Sequence, residues 1–403
     1  MQAGLYVSKH ICFLTYMQPN IINREDILEK LLQALTQRRL KSNYAVIGPR
    51  RIGKTAILEE LERRLAESDA IVTRIDFSKY GYDPTEFSRV LIDSLTKAYQ
   101  EKLDPASRVL EGVRHAVAEI KKLRRMRVEF DISLDEAGKP VLTVRPTLVT
   151  RELRHAESFE QAFSYASRLA SASGKKVIIM LDEAQKIVEW TRLNGMKNVM
   201  DLFRSIIDEL DEVSVVLSGS RVHMLRNLFA GSGSPLFGRF TLIEVGPLEK
   251  RDANTLYLRN ALEATENEAN KVYQIVGGHP FYLLVMAEAR RPRERVAERY
   301  RRLLTDVAGG LYLYVNYILR EDLGSKITET NYVKILGALA YGERKVSQIA
   351  ERIGIQAPWL TRYLTRLIEY DLVKKTDGEY ELKDQIVNDY FRFEDATKNS
   401  IYY

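Results

Sequence analysis

Between Asn23 and Arg39, apolar residues recur every three or four positions: Ile27, Leu28, Leu31, Leu32 and Leu35. That spacing predicts a helix with one buried stripe, opened by Asn23 or by Arg24-Glu25-Asp26. The run from Tyr44 to Gly48 is short and continuously apolar, the pattern of a buried strand. Helical spacing returns at Ile57, Leu58, Leu61 and Leu65. A second strand is predicted over 70–77, and helices over about 84–103 and 158–173. Between those helices, RVEFDISL and PVLTVRPT alternate around Asp135-Glu136-Ala137-Gly138, which predicts a β-hairpin near 127–147. Three more buried strands are predicted in KKVIIMLDEAQ, SVVLSGS and FTLIEVGPL, the last leaving the sheet at Gly246-Pro247.

Strands alternating with helices predict an α/β fold: a mostly parallel sheet with helices on both faces. This first domain is expected over 1–248. Residues 249–328 are patterned as helix, broken at Gly277-Gly278-His279-Pro280, and predict a small helical lid. Residues 329–403 predict three short helices and then two strands around Asp377-Gly378, the plan of a winged helix-turn-helix. Three domains suit 403 residues, too many for one ordinary core.

Composition narrows the class. The chain is 45% hydrophobic and 29% charged, with net charge +6, a mild basic bias. No apolar run reaches the roughly 18 residues of a membrane span. The N-terminal LYVSKHICFLTYM is interrupted by Lys9 and His10 and lacks a cleavage-site pattern, so it does not match a signal peptide. The single cysteine, Cys12, excludes an intrachain disulfide and suits a reducing compartment. A cytoplasmic protein without a membrane partner is expected.

The chemistry concentrates in one loop. Gly48-Pro49-Arg50-Arg51-Ile52-Gly53-Lys54-Thr55 fits G-x-x-x-x-G-K-[ST] between a predicted strand and a predicted helix that continues through Ala56. Its glycines let backbone amides face a phosphate, and the helix N-terminus points at the same place. Lys54 is the candidate bridge between β- and γ-phosphates, and Thr55 a candidate Mg²⁺ ligand. Asp182 ends the VIIMLDEAQ strand, where a buried carboxylate needs a cation; it is the second Mg²⁺ candidate, with water between. Glu183 is the candidate general base for an attacking water.

In additional-strand ATPases the VVLSGS strand lies between the two motif-bearing strands. Ser218 or Ser220 is then a sensor of the γ-phosphate, or else a turn-forming serine. Arg50 and Arg51 have three readings: γ-phosphate contact, contact with a neighbouring domain, or simple solvation. Arg239 stands at the distance from this strand where an arginine finger is often placed, or it is an ion-paired surface residue. A finger acting between copies needs an oligomer, and no feature of the sequence specifies one.

Taken in order, NREDILEKL, GPRRIGKT, IIMLDEAQ, VVLSGSRV, PLFGRFTLIEVGPL and GGHPFYLL resemble the archaeal ATPases of the AAA+/STAND group of P-loop NTPases. These are built on a plan like that of origin-recognition initiators. The resemblance spans about residues 20–395. The arginine pair and Gly-Gly-His-Pro are its most specific parts. The first motif usually reads Phe-Val-Gly-Arg-Glu, and here Asn23 stands in the glycine's place. The resemblance implies an ASCE-type ATPase core and ATP as the nucleotide. It also implies that Gly278, His279 and Pro280 reach from the lid onto base or ribose. The absence of a guanine-reading Asn/Thr-Lys-x-Asp motif agrees with adenine.

In the C-terminal module, Leu360, Leu364, Leu367 and Ile368 are expected to pack inward. Thr361, Arg362, Thr365 and Arg366 then face out, where a recognition helix meets a groove, with Lys374 and Lys375 at the start of the wing. From Asn331 to Tyr403 there are 11 Lys/Arg and 11 Asp/Glu, so the module is neutral. The basic clusters Lys121–Arg127 and Arg290–Arg302 either add to a DNA surface or are solvated helix faces. The expected function is Mg-dependent ATP hydrolysis, with ATP and ADP driving a switch that moves a winged helix bound to duplex DNA. The alternative is a signalling or defence switch whose winged helix docks on protein.

Overall fold

The computed structural model describes residues 22–37, 42–80, 83–102, 126–134, 140–148, 155–229, 231, 233–323 and 331–401. Cys12, the N-terminal segment, Lys121–Arg125 of the first basic cluster and the hairpin's Asp135–Gly138 turn lie outside them.

Five strands form the central sheet: β1 (Tyr44–Ile47), β2 (Ile71–Asp76), β5 (Val177–Asp182), β6 (Val213–Gly219) and β7 (Thr241–Glu244). Their order is β2-β5-β6-β1-β7 and every pairing is parallel. The remaining two strands of this domain, β3 (Met126–Leu134) and β4 (Pro140–Leu148), form the antiparallel hairpin that the alternation predicted.

The strands are apolar throughout because both faces are covered. Ala45 and Ile47 of β1 enter one core, while Tyr44 and Val46 enter the other. On β5, Val177, Ile179 and Leu181 point one way, and Ile178 and Met180 the other. Helices Glu25–Thr36 and Lys54–Ala66 cover one face through Leu28, Leu31, Leu35, Ile57, Leu58 and Leu61. Helices Pro84–Glu101, His155–Ser173, Val199–Glu209 and Val222–Phe229 line the other. The last two have no counterpart among the elements the sequence pattern predicted. Strand β2 ends at Asp76, one residue short of the expected Phe77, which begins a short helical turn (Phe77–Tyr80).

Among the described residues the lid has five helices: Lys250–Asn260, Glu266–Val276, Pro280–Glu288, Val296–Thr305 and Gly310–Leu323. The sequence predicted one break, at Gly277–Pro280. The others were missed because their signals are single residues. Thr265, for example, caps its helix by accepting from the Glu268 amide at 3.2 Å. Three arginines of the Arg290–Arg302 block are spent inside the lid. Arg299 is buried, pairs with Glu268 at 2.8 Å and donates to the Tyr257 hydroxyl at 2.7 Å. Arg290 reaches Glu268 at 3.1 Å and Arg302 reaches Glu294 at 2.7 Å. The other four arginines of the block, Arg291, Arg293, Arg295 and Arg301, are exposed.

The C-terminal module has helices Asn331–Ala340, Val346–Ile353 and Ala357–Glu369, then the hairpin β8 (Val373–Thr376) and β9 (Glu379–Leu382). Gly354 ends the second helix in the left-handed conformation, φ 69°. A further helix, Gln385–Ile401, was not foreseen. It puts Ile386, Val387, Tyr390 and Phe391 into one apolar core shared by lid and winged helix. The Tyr282 hydroxyl donates to Asp384, and the Tyr300 hydroxyl to Asp389 at 2.6 Å, across the same junction. No helix among the described residues is long and apolar enough to cross a membrane.

Trp190 is buried among Phe77, Phe87 and Phe159, with ring centroids 5.3–5.6 Å away. Trp190→Ala should destabilise the sheet domain by about 3–5 kcal/mol. Denaturant unfolding followed by circular dichroism measures this.

Candidate active site

The phosphate loop joins the C-terminal end of β1 to helix Lys54–Ala66. Gly48 sits where a Cβ would lie 2.4 Å from the Val245 carbonyl oxygen, so edge strand β7 leaves room only for glycine. Arg51 (φ 58°) and Gly53 (φ 104°) are left-handed, which curls the loop. Ile52 anchors it by burying its side chain in the adjacent core. Gly53 ends the loop at the helix N-terminus, where its carbonyl accepts from the Ile57 amide at 3.0 Å. Pro49 and Gly48 offer their carbonyls to Lys54 Nζ at 2.8 and 3.0 Å. Ala56 stands in the first turn of the helix.

Strand order brings the other groups to the same edge. Because β6 lies between β5 and β1, its tip meets both motifs. Asp182 Oδ2 accepts from Thr55 Oγ1 at 2.7 Å, and Oδ1 accepts from Ser218 Oγ. Glu183 is left-handed, φ 56°. Its Oε2 accepts from Ser220 Oγ at 2.9 Å and from Gln185 Nε2. Burial pushes the Asp182 carboxyl above the usual carboxylate range, against the pull of the two hydroxyls. Burial likewise pushes the Lys54 ammonium down, against Glu183 and Asp182. A polyphosphate would suit the Lys54 ammonium, and a divalent cation would suit the Asp182 carboxylate. One carboxylate and one hydroxyl suit Mg²⁺, which usually takes one or two carboxylates and completes its shell with phosphate and water.

The lid closes on the loop from above. Gly277 (φ 66°) ends one lid helix, and Gly278 lies on the backbone of Leu248, whose amide donates to its carbonyl at 2.8 Å. His279 Nε2 lies 3.0 Å from the Arg50 carbonyl oxygen, and its ring stacks on Tyr282 at 4.1 Å. Pro280 starts the next helix. The Arg51 guanidinium stands over Phe281 at 4.3 Å, Tyr314 at 5.0 Å and Tyr317 at 5.6 Å. Of the readings open for Arg51, the structure places it against the neighbouring domain. The aromatic-rich stretch GLYLYVNY was the overlooked signal for this cage.

Arg24 Nη2 donates to the Gly246 carbonyl at 2.5 Å, and Asn23 Nδ2 to Asp252, tying the first motif to the lid hinge. Asn23 has φ 53°, a region that glycine favours and asparagine tolerates, which accounts for its standing in the glycine's place. Arg239 is not brought to the loop. It forks onto Asp208 at 3.0 Å, and its carbonyl accepts from Asn43, ahead of β1. Four residues of strand, roughly 13 Å, separate that sheet edge from this chain's phosphate loop.

A family model described as an ATPase domain predominantly from Archaea matches residues 21–286, more than half of the chain. The chain belongs to that family. In this archaeal-type ATPase, residues 331–375 also match a model of the arsR family of bacterial regulatory proteins. The Walker-type ATPase of Pyrococcus abyssi aligns over 93% of this chain and 97% of its own, with TM-score 0.60 and 22% identity, a likeness of fold. The ORC1 protein of Aeropyrum pernix, solved in complex with DNA, aligns over 94% of each chain with TM-score 0.45 and 16% identity. An uncharacterized protein of Methanocaldococcus jannaschii is 25% identical over 257 residues, 60% of this chain and 54% of that protein. The chain thus spans about half the length of that curated relative.

On the winged helix, Leu360, Leu364 and Leu367 are buried and Ile368 partly so, while Thr361, Arg362, Thr365 and Arg366 are exposed. Lys374 and Lys375 are exposed too, but Lys374 is paired with Glu381 at 2.7 Å and Lys375 lies over Tyr380 at 5.2 Å. Arg362 stacks over the half-exposed Trp359 at 4.9 Å. Asp371 accepts from the His223 amide at 3.0 Å, and Arg221 lies 5.1 Å over Tyr370. The end of the recognition helix thereby docks beside the β6 tip.

Burial holds His279 well below the usual imidazole range, at about 4, helped by the nearby Lys54 and Arg51 charges and opposed by the Arg50 carbonyl. Above pH 6.5 its ring is neutral in both folded and unfolded chains. Between pH 6.5 and 4 only the unfolded chain gains the proton, so stability should fall with pH across that window. Unfolding midpoints of wild type and His279→Gln, compared from pH 7 to 4, should converge as pH falls.

Proposed function

We propose that this chain binds MgATP between phosphate loop and lid, hydrolyses it, and uses the change to reposition a winged helix on duplex DNA. The observation that carries this reading is the apolar core shared by lid and winged helix. Any movement of the lid relative to the phosphate loop carries the winged helix with it. His279 of the lid meets the Arg50 carbonyl of that loop, and Arg51 of the loop meets Phe281 of the lid.

In this reading Gly48, Pro49, Arg50, Arg51, Ile52, Gly53 and Ala56 shape the amide cradle, and Lys54 binds the β- and γ-phosphates. Thr55 and Asp182 would hold Mg²⁺, which would supply charge neutralisation on the phosphate oxygens. Water attacks the γ-phosphorus, its proton passes to Glu183, and the bond from that phosphorus to the ADP oxygen breaks. Ser218 fixes Asp182, and Ser220 fixes Glu183. Lys54→Ala should abolish nucleotide binding. Glu183→Gln should keep binding and slow turnover about 10²–10⁴-fold. Calorimetric titration and phosphate release measure the two, and an unchanged rate removes Glu183 from its role.

The exposed Arg362 and Arg366 are the candidate DNA contacts, with Thr361 and Thr365 beside them. Arg362→Ala or Arg366→Ala should weaken duplex binding and lower its salt slope by about one. Binding indifferent to both sinks the DNA reading. A protein-docking winged helix is the second reading, favoured by the module's 11 basic and 11 acidic residues and by Trp359, 55% exposed. Hydrolysis measured with and without duplex at moderate salt separates the two: stimulation supports DNA, indifference supports a protein target.

A further inference from the structure

Beyond the groups assigned to nucleotide, one buried side chain is held against the candidate general base. Gln185 is the second residue of the 3₁₀ helix Ala184–Arg192, with its side chain inside, 4% exposed. Its Nε2 donates to Glu183 Oε2 and lies 3.3 Å from Ser220 Oγ. Its other amide atom, Oε1, is buried without a donor. Reversing the amide would set that oxygen against the Glu183 carboxylate, so the orphaned oxygen follows from the contact with Glu183. The strand tip makes room for it. A Cβ on Gly219 would lie 2.3 Å from Gln185 Oε1 and 2.4 Å from Leu225 Cδ1. Glu183 itself turns through a left-handed backbone, φ 56°, as strained residues at working sites do.

We infer that Gln185 is a positioning residue for Glu183. Together with Ser220 it ties down Oε2, which leaves Oε1 of Glu183 to face the attacking water. The inference rests on Glu183 acting as base. It also gives Ser220 a partner in the protein, the carboxylate, in place of the γ-phosphate.

The test uses Gln185→Met, which keeps length and bulk but has no donor, in wild-type and Glu183→Gln backgrounds of the full chain. Turnover is counted per ATP-binding site, so misfolded protein does not enter the rate. Q185M should lower kcat about ten- to a hundredfold, as expected when a reacting group loses its aim, with ATP Kd unchanged. In the E183Q background the same change should cost nothing further. An unchanged or raised kcat for Q185M overturns the inference, as does an equal loss in both backgrounds. Full turnover by E183Q alone sinks the base reading itself and is a separate result.

Discussion

One buried carboxylate organises the working edge of this protein. Asp182 is 2% exposed at the end of β5, and it accepts from Thr55 on the phosphate-loop helix and from Ser218 on β6. A carboxylate left alone there would be costly, so three elements are drawn together to satisfy it. The parallel order β5-β6-β1 makes this geometry available, since all three strands deliver their C-terminal ends to the same edge. With Thr55 beside it, the same carboxylate would suit a divalent cation.

The second constraint lies in the core beyond the sheet. Lid and winged helix bury their apolar faces against each other through Leu311, Tyr314, Leu336, Tyr390 and Phe391. This core joins two modules that sequence texture divides near residue 328. Among the described residues, their attachments to the sheet domain include polar and aromatic contacts: His279 on the Arg50 carbonyl, Arg51 in its aromatic cage, and Asp371 on the His223 amide beyond β6. Contacts of this kind exchange more readily than a buried apolar core, which suits the proposed movement of lid and winged helix as a unit.

Much of the site was legible because short-range patterns encode it. The run Gly48–Thr55, Asp182-Glu183 and the two serines each sit at a strand end, and strand ends are marked by a stop in apolar periodicity. For Arg51 and Arg239 the sequence left several readings open, the observed one among them. Both are arginines near turns, and only packing decides that one enters an aromatic cage while the other forks onto Asp208. Gln185 stood in a quoted motif, yet its role depends on β6 passing beside it. The Arg290–Arg302 block read as a DNA surface or a solvated helix face, because its partners Glu268 and Glu294 are known only once the lid helices pack.

By itself, then, the sequence determined the alternation of strands and helices, the phosphate loop, the carboxylate pair and the winged-helix plan. These follow from periodicity, glycine freedom and turn chemistry within a few residues of each other. Only the tertiary structure decided which strand tip lies beside which, where each arginine spends its charge, and that the final helix, Gln385–Ile401, joins lid to winged helix. Those outcomes depend on burial between residues distant in the chain, where a side chain's partner is set by packing and desolvation rather than by its neighbours in sequence.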